Sequence, residues 1–325
     1  MDLNHPAPAV SVVIPLRVSG PYLRECLAQL ARQTYRDFDV YVVPDEPLTL
    51  DIPRVHVIPS GHVLPNRKRQ IAAEATRAEI LAFIDDDAYP DNEWLSNAVR
   101  HFADANVVAA GGPAVTPPDD SPLQRASGAI FSAEIVTATT RHRYVPEPQR
   151  NVDSLASCNL LVRREAFLRD ADGSVRYWPG EDILLCMFAV RDGARIVYDP
   201  TALVYHHRRA VFAPHLRQVW SYGRFRGHFL HRLSRSRTDA VYAVPAAFVL
   251  AHAGLLAALT QPRLRVPALL AATGYTALVG RAAVRAARAE RANPWLVAAG
   301  IYLTHLTYGA GTIAGWFNDG PYGRI

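Results

Sequence analysis

The chain has 325 residues and a formal net charge of +5, enough length for one full α/β domain plus a smaller appendage, and a charge surplus too modest to define a partner by its sum. Its three cysteines, Cys26, Cys158 and Cys186, are widely spaced and odd in number, which argues against a disulfide framework or a zinc site and for a reducing compartment. Met1 to Ala9 is polar and proline-containing, without the basic and apolar regions of a signal peptide, so the N-terminal domain is expected to stay in the cytosol.

Val10 to Ile14 is a short apolar run closed by Pro15, and Leu23, Leu27, Leu30 and Ala31 recur at helical spacing; this reads as a strand followed by a helix. Phe38 to Val43 is a second β-rich run, ended by Pro44-Asp45-Glu46-Pro47, and Val55 to Ile58 is a weaker third. Strand, helix and strand repeating at this spacing imply right-handed crossovers and a mostly parallel sheet. Pro65-Asn66-Arg67-Lys68-Arg69-Gln70 opens an Ala-rich helix to about Arg77. Its basic residues would meet an anion through side chains and free backbone N–H groups, or else form an exposed charged first turn. Ile80 to Ile84 then reads as a buried strand delivering Asp85, Asp86 and Asp87 to the carboxyl end of the sheet, where open α/β folds bind ligands. Three adjacent carboxylates repel unless a cation lies between them, and hard oxygen donors suit Mg²⁺ or Mn²⁺. A solvated acidic turn capping a helix near Asp91 is the other reading of the triplet.

Trp94 to Phe102 is helical in pattern, and Val107 to Ala110 is a strand before Gly111-Gly112-Pro113. Thr116 to Asp153 is rich in proline, polar residues and arginine without a strong period, which predicts a long functional excursion. Leu160 to Val162 resumes the sheet. Pro179-Gly180-Glu181-Asp182 opens an apolar helix, where the acidic pair is either a second functional site or helix capping. Ala202 to Tyr205 is β-like and runs into His206-His207.

After His215 the composition changes: Trp220, Tyr222, Phe225 and Phe229 interleave with Arg217, Arg224, Arg226, Arg232, Arg235 and Arg237, as expected at a membrane surface. Three apolar segments follow, at 240–260, 264–282 and 294–317, and they are expected to form about three transmembrane helices. The middle one is the shortest and could instead be re-entrant. Arg281, Arg285, Arg288 and Arg291 between the second and third segments place that linker, and the basic stretch before the first, on the cytosolic side. The expected organisation is a cytosolic domain at 1–210, interfacial helices at 211–238 and a multi-pass membrane domain at 239–325, in a plasma membrane of bacterial type.

Ser11-Val12-Val13-Ile14-Pro15, Gln33-Thr34-Tyr35 with Asp39-Val40-Tyr41-Val42-Val43, Lys68-Arg69-Gln70, Glu79 to Asp87, Asn159 to Arg164 and Gly180-Glu181-Asp182 stand in an order and spacing that resemble the family 2 glycosyltransferases of GT-A fold, in their membrane-anchored bacterial form. The resemblance runs from about Val10 to His207. It implies a Rossmann-like α/β catalytic domain with a nucleotide-sugar donor and a divalent cation, Mn²⁺ or Mg²⁺. By the same resemblance Asp45, Arg67, Lys68, Arg69, Asp85 and Asp86 would contact the donor, and Asp87 would ligate the metal with His206 or, less directly, His207. Glu181 would position the acceptor, and Asp182 would be the general base of a single inverting displacement.

The chain departs from the family pattern at Leu16-Arg17-Val18 after the first strand, at Pro44, where the first of two aspartates is usual, and at Gln70 and Ala72. These departures bear on the nucleoside contacts. Arg217-Gln218-Val219-Trp220 only faintly echoes the signature of processive synthases, so polymerisation is not expected. The acceptor implied is a lipid-linked or growing envelope glycan, with no nucleic acid involved. A polyprenyl-phosphate monosaccharide synthase and a non-catalytic membrane subunit of the same fold are the alternatives.

Overall fold

The computed structural model describes residues 9–174, 178–191, 193–233 and 237–318; the polar start at 1–8 and Arg235 lie outside them. Two compact units are present. One comprises Met1–Val115 with His142–His206, the other Thr116–Arg141 with His207–Gly320. The second unit thus joins the first part of the excursion after Thr116 to the chain from His207 onward.

In chain order the elements are β1 (Val10–Pro15), α1 (Pro21–Leu30), β2 (Phe38–Val43), β3 (Val55–Val57), α2 (Pro65–Ala75), β4 (Ile80–Phe83), β5 (Ala88–Pro90), α3 (Trp94–Val99), β6 (Val107–Gly111) and β7 (Ala114–Val115). Two helices of the second unit follow, α4 (Pro122–Ser132) and α5 (Glu134–Thr137). The first unit resumes with β8 (Arg150–Asn151), β9 (Leu160–Arg163), α6 (Arg164–Ser174), α7 (Glu181–Arg191), β10 (Arg195–Tyr198) and β11 (Val204–His206). The second closes with α8 (Ala213–His228), α9 (Val244–Leu259), α10 (Pro262–Ala289) and α11 (Pro294–Trp316).

The first unit is built on an eight-stranded sheet in the order β3-β2-β1-β4-β9-β6-β10-β8. The strands from β3 to β4 run parallel, as the repeating strand and helix pattern predicts. β9 pairs antiparallel with both β4 and β6, a reversal that the apolar run Leu160 to Val162 does not reveal. Both faces of the sheet are covered. Val12, Ile14, Val40, Val42, Ile80 and Ala82 pack into one core, whereas Val13, Tyr41, Val43, Leu81 and Phe83 pack into another. This alternation along each strand explains why these strands read as continuous apolar runs. A smaller sheet, β5-β11-β7, adds an antiparallel pairing in which His206 lies opposite Ala88. Gly112 is required where the chain leaves β6, because a Cβ there would stand 2.3 Å from the Ala202 carbonyl oxygen.

Asp199, which follows β10, shows how a buried charge is kept in this unit. Its carboxylate accepts hydrogen bonds from Arg100 Nη2 at 2.7 Å, His101 Nε2 at 2.6 Å and Thr201 Oγ1 at 2.6 Å. Burial raises its pKa, but these donors together outweigh burial and hold it down at about 2, against an ordinary 3.8. With the folded pKa below the unfolded one, the stabilisation is present above the unfolded value and is lost as pH falls through about 2. Asp199→Asn should therefore cost about 2 kcal/mol at neutral pH, read as a lowered thermal midpoint, with the gap to wild type closing in acid. An unchanged midpoint at neutral pH would contradict this assignment.

In the second unit the excursion after Thr116 is helical rather than structureless. The Ser121 and Gln124 capping box starts α4, with Gln124 N donating to Ser121 Oγ at 3.4 Å and Ser121 N donating to Gln124 Oε1 at 3.2 Å. Its buried residues run from Ala126 to Ser132, small side chains followed by Ile130 and Phe131. Ser127 Oγ, His215 Nδ1 and Thr304 Oγ1 form a buried chain, with His215 Nε2 2.9 Å from Thr304; burial pushes the His215 pKa down to about 4. α8 and α11 meet through Gly223, Gly227, Gly311 and Gly315, where a Cβ would collide with the facing backbone.

All three apolar segments are helical, but α10 runs through Ala289 and absorbs most of the arginine linker expected between the second and third. Alanine and arginine are both strong helix formers, which accounts for the extension. Among the described residues one helix, Ala240–Leu259, is long and apolar enough to cross a membrane. α11 instead buries Val297, Gly300, Ile301 and Thr304.

Candidate active site

β1, β2 and β4 end side by side, and the residues that follow them form the site. After β4, Ile84 is still buried, and the chain turns through Asp85, Asp86 and Asp87 into β5. The register of β5 with β11 brings His206 beside this turn, and His206 Nε2 lies 3.0 Å from Asp87 Oδ1. Asp85, Asp87 and His206 each offer a ligand atom, all within 4.8 Å of one another. Burial together with the charges of Asp87 and Asp85 pushes the Asp86 carboxyl up to about 7. Burial alone would lower the His206 pKa, but the Asp87 charge overrides it and raises it to about 10. Two hard carboxylates and one imidazole, in a place that disfavours accumulated negative charge, are a donor set that fits Mn²⁺ or Mg²⁺. Asp85, expected on the donor side, stands within this set.

α2 contributes three basic residues with different surroundings. Lys68 is buried, and its Nζ donates to both the Leu16 carbonyl and the Asp45 carboxylate. Asp45 also faces His62 Nδ1 at 2.7 Å. Burial raises the Asp45 pKa, yet the hydrogen bonds from Lys68 and His62 outweigh it and keep the carboxyl below its usual range. Arg69 is 2% exposed. It donates from Nη1 to Glu181 Oε1 at 2.9 Å, and from Nη2 to Asp85 Oδ1 at 3.1 Å and Ser157 Oγ at 3.0 Å. Arg67 points outward to Glu74, 3.5 Å away. Lys68 and Arg69, expected to contact the donor, are both interior, because buried carboxylates need paired cations.

The acidic pair at the start of α7 separates into two environments. Gly180 has φ of 110°, a conformation that favours glycine, and it turns the chain so that Glu181 is directed inward. Burial drives the Glu181 carboxyl upward against the pull of Arg69. Asp182 is more accessible, its side chain 16% exposed. Its Oδ1 accepts from the Ile183 N–H at 2.8 Å, and its Oδ2 accepts from the Ser157 N–H at 3.4 Å. Arg143 Nη1 approaches Asp182 Oδ2 at 4.0 Å, while its Nη2 donates to Ser154 Oγ at 2.5 Å. Sequence reasoning missed Arg143, Ser157 and Asn159. Asn159 donates to the Pro113 and Ala202 carbonyls at 2.9 and 2.8 Å and accepts from Trp94 Nε1 at 2.8 Å. Its place at the head of the quoted Asn159 to Arg164 stretch was the available signal. For Arg143 and Ser157 the sequence carried none.

The site therefore joins a candidate cation pocket to an accessible carboxylate through one buried arginine. The family model for glycosyl transferase family 2 matches residues 11–169. Two curated proteins of Mycobacterium tuberculosis, each a pre-mycofactocin glycosyltransferase, are 28% identical over 211 residues, covering 62% of this chain and 43% of theirs. The chain thus spans less than half the length of these relatives. Among solved structures, a mannosyltransferase, PcManGT, from Pyrobaculum calidifontis in complex with GDP-Man and Mn²⁺ aligns with a TM-score of 0.61 at 19% identity, over 98% of this chain and 92% of that one. The two share a GT-A type fold.

Proposed function

We propose that this chain, whose residues 11–169 match the family model for glycosyl transferase family 2, is a metal-dependent, inverting transferase that moves a sugar from a nucleotide donor to a hydroxyl of a lipid-linked acceptor at the cytosolic membrane face. The observation that carries this reading is the bridge from Asp85 through Arg69 to Glu181, which ties the cation pocket to the start of α7 and fixes Asp182 beside it. The relatives are glycosyltransferases by name, and the similar solved structure holds a nucleotide sugar with Mn²⁺; both fit this donor set.

In this reading Asp182 takes the proton of the acceptor hydroxyl as its oxygen bonds to the anomeric carbon, while the bond from that carbon to the nucleoside diphosphate breaks on the opposite face. Asp182 suits the role better than Glu181, whose carboxylate is buried and engaged by Arg69. A divalent cation held by Asp85, Asp87 and His206 would neutralise the departing diphosphate. Asp86 stands beside that set on the donor side. Lys68 and Arg69 position Asp45 and Glu181, while the half-exposed Arg67 pairs with Glu74. The exposed apolar helix Ala240–Leu259 and the exposed Arg217 of α8 support membrane attachment.

The reading is tested with the purified full chain, membrane lipid extract, Mn²⁺ and radiolabelled UDP-, GDP- and dTDP-sugars. Label from one donor class should move into the organic-extractable fraction. Release of the label only as free sugar in water, with every donor, would contradict a lipid-linked acceptor.

A further inference from the structure

We propose that the outward face of α10 binds the phosphate headgroups of anionic lipids through Arg281, Arg285 and Arg288; the proposal rests on the membrane attachment of this unit. At 100° per residue these three side chains fall within one narrow arc of the helix. All three are exposed. The opposite arc carries Val279, Ala283, Ala286 and Ala287, which are buried in the unit's core. The arginine arc is therefore the face that the protein leaves uncovered.

The same outward arc changes character along its length. Val266, Leu270 and Leu278 lie on it at 65%, 69% and 50% exposure, and residues 266–280 carry no charge. Arg263 closes the apolar stretch on the same arc at the other end, whereas Arg265 falls on the opposite side. From Arg263 to Arg281 the helix rises about 27 Å at 1.5 Å per residue, close to a hydrocarbon core of about 30 Å once arginine stems extend outward at both ends. One face thus reads as basic, apolar and basic, with the denser basic cluster after the apolar stretch. A nucleic acid would satisfy the arginines and leave the apolar arc in water, whereas a bilayer satisfies both.

Among the described residues the arginines also lack counter-ions: Arg281, Arg285 and Arg288 form no ion pair. Glu290 is the one acidic residue from 240 to 318, and its electrostatic neighbours are Arg208 and Asp120. Three uncompensated guanidinium groups spaced along two turns match phosphate oxygens, which they engage through paired hydrogen bonds. This placement sets the arginine end of α10 at an anionic leaflet.

The test is native mass spectrometry of the detergent-purified full chain titrated with phosphatidylglycerol or phosphatidylcholine. Wild type should prefer phosphatidylglycerol by on the order of 100-fold at low salt, the preference should shrink as salt rises, and inorganic phosphate should not displace the lipid. Arg281→Gln with Arg285→Gln and Arg288→Gln should abolish the preference, and the matching triple lysine variant should retain part of it, which separates charge loss from misfolding. Arg263→Gln with Arg265→Gln should keep most of it. No preference in wild type, or an equal preference in the triple glutamine variant, would overturn the proposal. Failure of the chain to enter neutral phosphatidylcholine vesicles would instead overturn the membrane attachment on which it rests.

Discussion

Asp182→Asn is expected to lower sugar transfer by 10²- to 10⁴-fold, the range that a positioned general base contributes, while leaving donor binding and thermal stability near wild type. The structure supplies a reason for both halves. Asn keeps an oxygen that can accept from the Ile183 N–H, now at 2.8 Å from Asp182 Oδ1, so the start of α7 should hold its form. What it loses is the ability to take a proton. Glu181 cannot replace it, since its carboxylate is directed inward at Arg69. The check is a transfer assay run beside a donor-binding melt of the same preparation. Transfer at wild-type rate would remove Asp182 from the mechanism and leave it a helix cap.

Asp87→Ala should have the second large effect, a weakening of cation-dependent donor binding by at least on the order of 100-fold, more than the loss usual for a residue that only supports a ligand. Asp87 is both a member of the candidate cation set and a partner of His206 at 3.0 Å, so its removal takes away one donor and one of the contacts that hold a second. Titration of Mn²⁺ against a fixed nucleotide sugar reads the change directly. Equal Mn²⁺ dependence in variant and wild type would move the cation away from this turn.

The ends of the parallel strands were legible because both faces of the sheet are covered, which writes β1, β2 and β4 as plain apolar runs, and because three adjacent aspartates after such a run are costly without a purpose. His206 could be found for a similar reason: a β-like run ends in it. The interior position of Lys68 and Arg69 was not legible. Charged residues opening a helix ordinarily face water, and only the facing carboxylates of Asp45, Asp85 and Glu181, distant in sequence, draw them inward. Arg143 and Ser157 were hidden in the same way. The helix α4 escaped notice because it lies in a stretch rich in proline and polar residues, although Ser121, Pro122 and Gln124 stand there in the spacing of a capped helix start. For α10 the sequence suggested an end near residue 282, since charge resumes there, yet backbone propensity carries the helix two turns further.

The central claim, a cation-bridged nucleotide-sugar site at the ends of β1, β2 and β4, is tested most directly by thermal melts of the detergent-purified full chain with UDP-, GDP-, dTDP- and CMP-sugars, each in Mn²⁺ and in EDTA. A ligand that binds only the folded state raises the midpoint by mass action. The account predicts stabilisation by one nucleotide class in Mn²⁺ that disappears in EDTA. Stabilisation by none of the four classes, or stabilisation that persists unchanged in EDTA, would contradict it.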